Sequence, residues 1–142
     1  MIHLKHEPPE PQAYCDLRKV AGMSTKSLAA ARKGLPNALF TVALYSEQQL
    51  IGLGRVIGDG CTALQVVDIV VHPTYQGRGY GKLIMREVMH YIDTIAEAGT
   101  YVSLMADYPA DELYRQFGFD YTEPHSACLL YTSDAADEED SV

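Results

Sequence analysis

Apolar positions along the chain follow two rhythms, short β-branched or alternating runs and longer runs with a period of about 3.6, and their order predicts a mixed fold. Residues 2–6 read as a short strand. Pro8, Pro9 and Pro11 break the chain ahead of a helix over about residues 13–20, and Gly22 punctuates the chain after that helix. Ser24 or Thr25 is placed to cap a second helix through Lys33, which Gly34 and Pro36 stop. Residues 39–45 and 50–57 form a hairpin around Ser46-Glu47-Gln48-Gln49. After a turn at Gly58-Asp59-Gly60, a further strand covers residues 62–72. Residues 82–95 are helix-like, 101–106 strand-like, and a last short helix leads into a closing strand. The predicted order is β-α-α-β-β-β-α-β-α-β, without repeat, linker or second domain.

Charge changes this picture only at one end. The 142 residues carry a formal charge of −8, but Asp134, Asp137, Glu138, Glu139 and Asp140 lie together near the C-terminus, and removing those five leaves −3 for the rest. Residues 1–131 are expected to be one domain, and 132–142 an acidic, solvated tail without function. No apolar run approaches the ~20 residues of a membrane helix, nor does the N-terminus look like a signal peptide, so a soluble, cytoplasmic protein is expected. Cys15, Cys61 and Cys128 have neither disulfide-framework nor zinc spacing, and the five histidines form no ligand pair, so no metal is expected. No basic stripe suggests nucleic acid.

The chemistry-bearing segment is Gln76-Gly77-Arg78-Gly79-Tyr80-Gly81-Lys82, which lies between a strand-like and a helix-like run. Glycines allow close approach to backbone amides, and the first amides of a helix are unpaired at the positive end of its dipole, so the turn suits a phosphate or diphosphate. Taken alone, three alternating glycines are equally a tight exposed turn. A P-loop would need Ser or Thr after Gly81-Lys82, where Leu83 stands. A dinucleotide fingerprint would need its third glycine one residue later, and an acidic partner where Glu97 or Thr100 falls, at a helix end.

In Gln76, Gly79 and Gly81 the segment resembles the acyl-CoA site of the GNAT superfamily of N-acetyltransferases, whose signature is Gln or Arg, two residues, Gly, one residue, then Gly or Ala. The preceding Val67-Asp68-Ile69-Val70-Val71-His72-Pro73 is similar to that family's fourth strand, with its Val-x-Pro step. A second block, Ala110-Asp111-Glu112-Leu113-Tyr114-Arg115-Gln116-Phe117-Gly118-Phe119, resembles the family's A-x-x-L-Y-x-x-x-G-F segment. The likeness covers residues 39–121 well and the two ends poorly.

The resemblance implies an α/β (α+β) fold, with a mixed, mostly antiparallel central sheet whose fourth and fifth strands splay apart, flanked by about four helices. It implies acetyl-CoA as cosubstrate, with Ile69, Val70 and Val71 along the pantetheine arm. Gln76, Gly77, Arg78, Gly79, Tyr80, Gly81 and Lys82 would form the diphosphate loop, and Asp107, Ala110, Leu113 and Phe117 the remaining cofactor contacts. Asp107 stands where relatives commonly carry Asn, and an ionised Asp only accepts hydrogen bonds. Tyr114, by spacing alone more often core than catalyst, becomes the expected general acid.

Asp68 is the expected base, because a carboxylate in an apolar strand must be paired, wet or functional; pairing with Arg55 on the adjacent strand is the alternative, and Gln65 could instead position a water. The expected reaction is direct attack, in a ternary complex, of a small-molecule primary amine of polyamine, arylalkylamine or aminoglycoside type on the acetyl thioester. A protein N-terminus or lysine is the alternative acceptor, and a non-catalytic acyl-CoA sensor the alternative of another class. Tyr14, Asp16, Arg18, Met23, Phe40 and Tyr45 are acceptor-side candidates by position, and a homodimer is possible from the family's habits.

Overall fold

The protein is described by a computed structural model covering residues 1–105, 111–123 and 126–130. Its strands are β1 (Ile2–Lys5), β2 (Phe40–Ser46), β3 (Gln49–Gly58), β4 (Ala63–Val71), β5 (Tyr101–Met105), β6 (Asp120–Glu123) and β7 (Ser126–Leu130). Its helices are α1 (Pro11–Val20), α2 (Leu28–Gly34), α3 (Tyr80–Ile95) and α4 (Asp111–Arg115). The strands form one sheet in the order β1-β2-β3-β4-β5-β7-β6, and every neighbouring pair is antiparallel except β4 with β5. The last described elements are therefore a β6–β7 hairpin rather than the single closing strand expected. None of the helices among the described residues is long and apolar enough to cross a membrane.

Local chemistry accounts for the boundaries that differ from expectation. Pro11, read as a breaker, opens α1 at its first turn, where a missing N–H costs nothing. Helix α2 starts later than expected: Ser27 is its cap, its hydroxyl accepting from the Ala30 amide at 3.0 Å. Ser24 is unavailable for that task because its carbonyl and hydroxyl oxygens both accept from the Arg18 guanidinium. The β2–β3 turn tightens to Glu47 and Gln48, both with positive φ, as a two-residue hairpin turn requires.

The sheet buries both faces. Against one packs α3, whose amphipathic period buries Ile84, Met85, Val88 and Ile92 onto Val42, Leu44, Val56, Leu64 and Val66. Each such side chain contributes about 1.5–3 kcal/mol by leaving water. Against the other pack α1 and α2, through Tyr14, Leu17, Ala31 and Leu35 over Ala43, Leu53 and Val70.

One irregularity sets up the site. Arg55 pairs with Val67 but Leu53 pairs with Val70, so Asp68 and Ile69 together oppose Gly54 in a β-bulge, with Asp68 left-handed at φ 58°. Gly54 is small because the bulge and α3 occupy its space: a Cβ there would lie 2.6 Å from Ile84 Cγ2 and 2.9 Å from Ile69 Cδ1. Gly54→Ala is expected to destabilise the fold by about 1–3 kcal/mol through overpacking; urea unfolding reads this, and an unchanged midpoint would contradict it.

Candidate functional site

The bulge coincides with the end of the β4–β5 ladder. Pairing runs from Ala63 with Tyr101 to Val66 with Leu104 and stops there, while β4 continues to Val71 and β5 turns its other edge to β7. From Val67 onward, the edge of β4 facing β5 has no strand partner among the described residues, so its backbone groups are open to another hydrogen-bonding chain. Ile69, Val70 and Val71, the expected pantetheine contacts, lie on this stretch. Gln76 reaches back to it, donating from Nε2 to the Val71 carbonyl at 2.9 Å, which ties the loop to the strand end.

Beyond Val71, a single 3-10 turn (Pro73–Tyr75) delivers the chain to the glycine loop. Gly77 and Gly79 have φ of 79° and 87°, conformations that a side chain would strain, and a Cβ at either would meet nothing within 4 Å. The space above the loop is open, as close approach of a ligand to the amides requires. Gly79 is the N-cap of α3 and its first turn contains no acidic residue. The helix ladder begins with the Leu83 N–H donating to the Gly79 carbonyl, so the preceding first-turn amides are free in the ordinary way of a helix start. A diphosphate fits such a cradle on grounds of dipole, donors and shape. Arg78 lies over the Tyr75 ring at 5.2 Å.

Helix α4 packs against the start of α3. Leu113 Cδ2 would be 3.3 Å from a Cβ at Gly81, so the third glycine serves contact between α3 and α4. Tyr114 is buried, 4% exposed, in the cluster that α3 covers, and Phe117 is partly buried against it. Asp107 and Ala110 lie outside the described residues.

Asp68 does not stand free at the bulge. Its Oδ1 accepts from Arg18 Nη1 at 2.5 Å, and its Oδ2 from Arg55 Nε at 2.8 Å and from the Tyr14 hydroxyl at 2.7 Å. The side chains of Asp68 and Arg18 are each 6% exposed. The pairing with Arg55 that the sequence left open is present, extended by two partners from α1. Both guanidinium groups lie near the Tyr14 ring, 5.9 Å for Arg18 and 5.8 Å for Arg55, within cation–π range. Burial, then the hydrogen bond to Asp68 and its charge, push the Tyr14 phenol up to about 12.

The remaining sequence candidates divide by face. Met23 joins the cluster, its sulfur 3.9 Å from Arg18 Nη1. Asp16 accepts from Gln12 and lines a separate cleft of about 300 Å³ beside His72. Phe40 goes to the opposite side, stacked on Tyr91 of α3 at 4.7 Å, and so does not share the α1–α2 face. Tyr45 sits under Lys5, and Gln65 lies within the paired part of β4, opposite Ile57 and Ser103. What sequence reading missed is Lys26, which with Tyr14 and Arg55 lines a cavity of about 120 Å³ against α2. An exposed lysine in a loop carries no periodic signal, so nothing in the sequence marked it.

Comparison with known proteins bears on this geometry. The acetyltransferase (GNAT) domain profile matches residues 36–121. A crystal structure from meticillin-resistant Staphylococcus aureus, described as a protein of unknown function and probable acetyltransferase, is 56% identical, with a TM-score of 0.85 over 87% of this chain and 93% of that one. A histone acetyltransferase of Glycine max is 29% identical over 77% of this chain and 50% of its own length. A GNAT family acetyltransferase from Brucella melitensis, solved with acetyl-CoA, shares the fold at TM-score 0.66 and 17% identity, over 92% of this chain and 88% of that one. The chain spans about half to two thirds of the length of the curated relatives it matches.

The Asp68 cluster generates two expected outcomes. Asp68→Asn keeps the side-chain shape but strands two buried guanidinium groups without their counter-ion, and is expected to cost about 3–5 kcal/mol in urea unfolding. Tyr14 has a folded pKa above its unfolded value, so its contribution to stability is complete below about pH 10 and is lost as pH rises toward about 12. Tyr14→Phe should flatten that alkaline fall in a stability–pH profile; an identical slope in both proteins would contradict the assignment.

Proposed function

The chain belongs to the GNAT acetyltransferase family, and on that premise we propose that it moves an acetyl group from acetyl-CoA to the primary amine of a small molecule, by direct attack in a ternary complex. The observation that carries this reading is the juxtaposition of an open glycine cradle at the α3 N-terminus with a strand edge that loses its partner after Val66. The amides of residues 77–82 hold the diphosphate, and the open backbone of residues 67–71 holds the amide-bearing pantetheine arm. When bound, the cosubstrate supplies an acetyl group activated as a thioester.

Tyr114 is the proposed general acid, protonated at neutral pH and delivering its proton to the departing sulfur. Asp68 is proposed as a positioning residue. Both oxygens of its carboxylate already accept charge-assisted or phenolic hydrogen bonds, from Arg18, Arg55 and Tyr14. Its task is to hold Arg55 and Tyr14 at the point where the sheet opens.

A protein acceptor is the second reading, favoured by the relative named a histone acetyltransferase. Thiol release from acetyl-CoA, measured across small amines and lysine or N-terminal peptides, separates the two. Turnover only with peptides would replace the first reading, and silence with tight acetyl-CoA binding would favour a sensor. Tyr114→Phe is expected to leave acetyl-CoA binding within about twofold and to lower kcat by about 10²-fold or more; an unchanged kcat would remove Tyr114 from the chemistry.

A further inference from the structure

The two arginines that hold Asp68 are not equivalent. Arg18 is saturated: its Nε and Nη2 donate to the Ser24 carbonyl, Nη2 also to the Ser24 hydroxyl, and Nη1 to Asp68. Arg55 spends only Nε, on Asp68, and among the described residues its two terminal nitrogens donate to nothing. Its side chain is 13% exposed. Largely buried guanidinium donors without an acceptor are costly, so the arrangement is poised to receive one.

The cavity beside Arg55 states what kind. Its volume is about 120 Å³, its charged lining residues are Arg55 and Lys26, and its other walls include the small apolar Ala30 and Ala31 and Tyr14. No carboxylate among the described residues lines it. The neighbouring Asp68 charge is already shared, and three cations, Arg18, Arg55 and Lys26, against that one carboxylate leave a net charge of +2. Arg55 pairs with Val67, one residue past the last β4–β5 pair, so it stands level with the opening in the sheet, one strand away from it.

We propose that the acetyl acceptor is a small amine bearing a carboxylate, an amino acid in chemical class, whose carboxylate docks on the terminal nitrogens of Arg55 with Lys26 at the cavity rim. This rests on the transferase reading for the word acceptor, but the anion site stands on Arg55 and the cavity alone. A planar fork of N–H donors matches the paired oxygens of a carboxylate, which favours Arg in this place over a point charge. The same charge repels polyamines and aminoglycosides, and so narrows the amine class expected from the sequence. It also disfavours the protonated form of an amine held nearby, raising the share of the neutral nucleophile at a site where the Asp68 carboxylate is committed elsewhere.

The test uses the full chain and matched ligands. Thiol release is measured with a panel of amino acids, their carboxamides, the corresponding decarboxylated amines, phosphoethanolamine and spermidine. In parallel, calorimetry with coenzyme A present measures binding of N-acetyl amino acids against their amides. Acids are expected to exceed their amides by about tenfold or more in kcat/KM, mainly through KM, and in binding. Arg55→Gln should reduce that ratio to about threefold or less, and Lys26→Gln, exposed and outside the ion cluster, should lower it without moving the melting temperature. Turnover that favours spermidine, neutral amines or phosphoethanolamine would overturn the proposal and leave the transferase standing. Absence of turnover, with Arg55-dependent preference for acids in calorimetry, would sink the transferase and support the anion site. Equal binding of acids and amides overturns the proposal whatever the turnover.

Discussion

Burying the Asp68 carboxylate is the constraint around which this structure is arranged. An ionised carboxylate in a strand interior is tolerable only with its oxygens satisfied and its charge balanced, and here that takes two guanidinium groups and a phenol. Two of those partners, Tyr14 and Arg18, come from α1, and the third from β3. Meeting the electrostatic requirement therefore docks α1 on the sheet at one point along β4, and Arg18 in turn gathers Ser24 and sets the path into α2.

The same residue shapes the backbone. With Asp68 left-handed and two residues set against Gly54, β4 bends away from its course at the point where its ladder to β5 ends. Bulge, ion cluster and open strand edge are thus a single feature seen at three levels. That economy explains why a mixed sheet, which could have continued its ladder, gives it up in the middle.

The α1–α2 face carries a local charge opposite to that of the chain, whose total is acidic. The formal charge of −8 describes the surface and the C-terminal run of acids, whereas the α1–α2 cavity is locally cationic. Field strength in a recess depends on the nearest few groups and on the low polarizability of their surroundings far more than on the sum over the chain. Net charge alone would point to cationic ligands, whereas a recess lined by Arg55 and Lys26 suits an anion.

By itself the sequence determined the order of elements through β5, the glycine loop at Gln76 to Lys82 and the oddity of Asp68 in an apolar strand, because periodicity, glycine and misplaced charge are local signals. It was less informative about boundaries such as the Ser27 cap, because Ser24, Thr25 and Ser27 are chemically alike and Ser24 is taken up by Arg18. The closing β6–β7 hairpin also went unread as two strands, since each is short and gains its pairing from β5 and from the other. Only the tertiary structure decided which partners Asp68 takes, on which face Phe40 lies, and that Arg55 rather than Arg18 keeps donors in reserve. Those outcomes depend on contacts between residues up to 54 positions apart, such as Tyr14 with Asp68, and no local pattern encodes a distance of that kind.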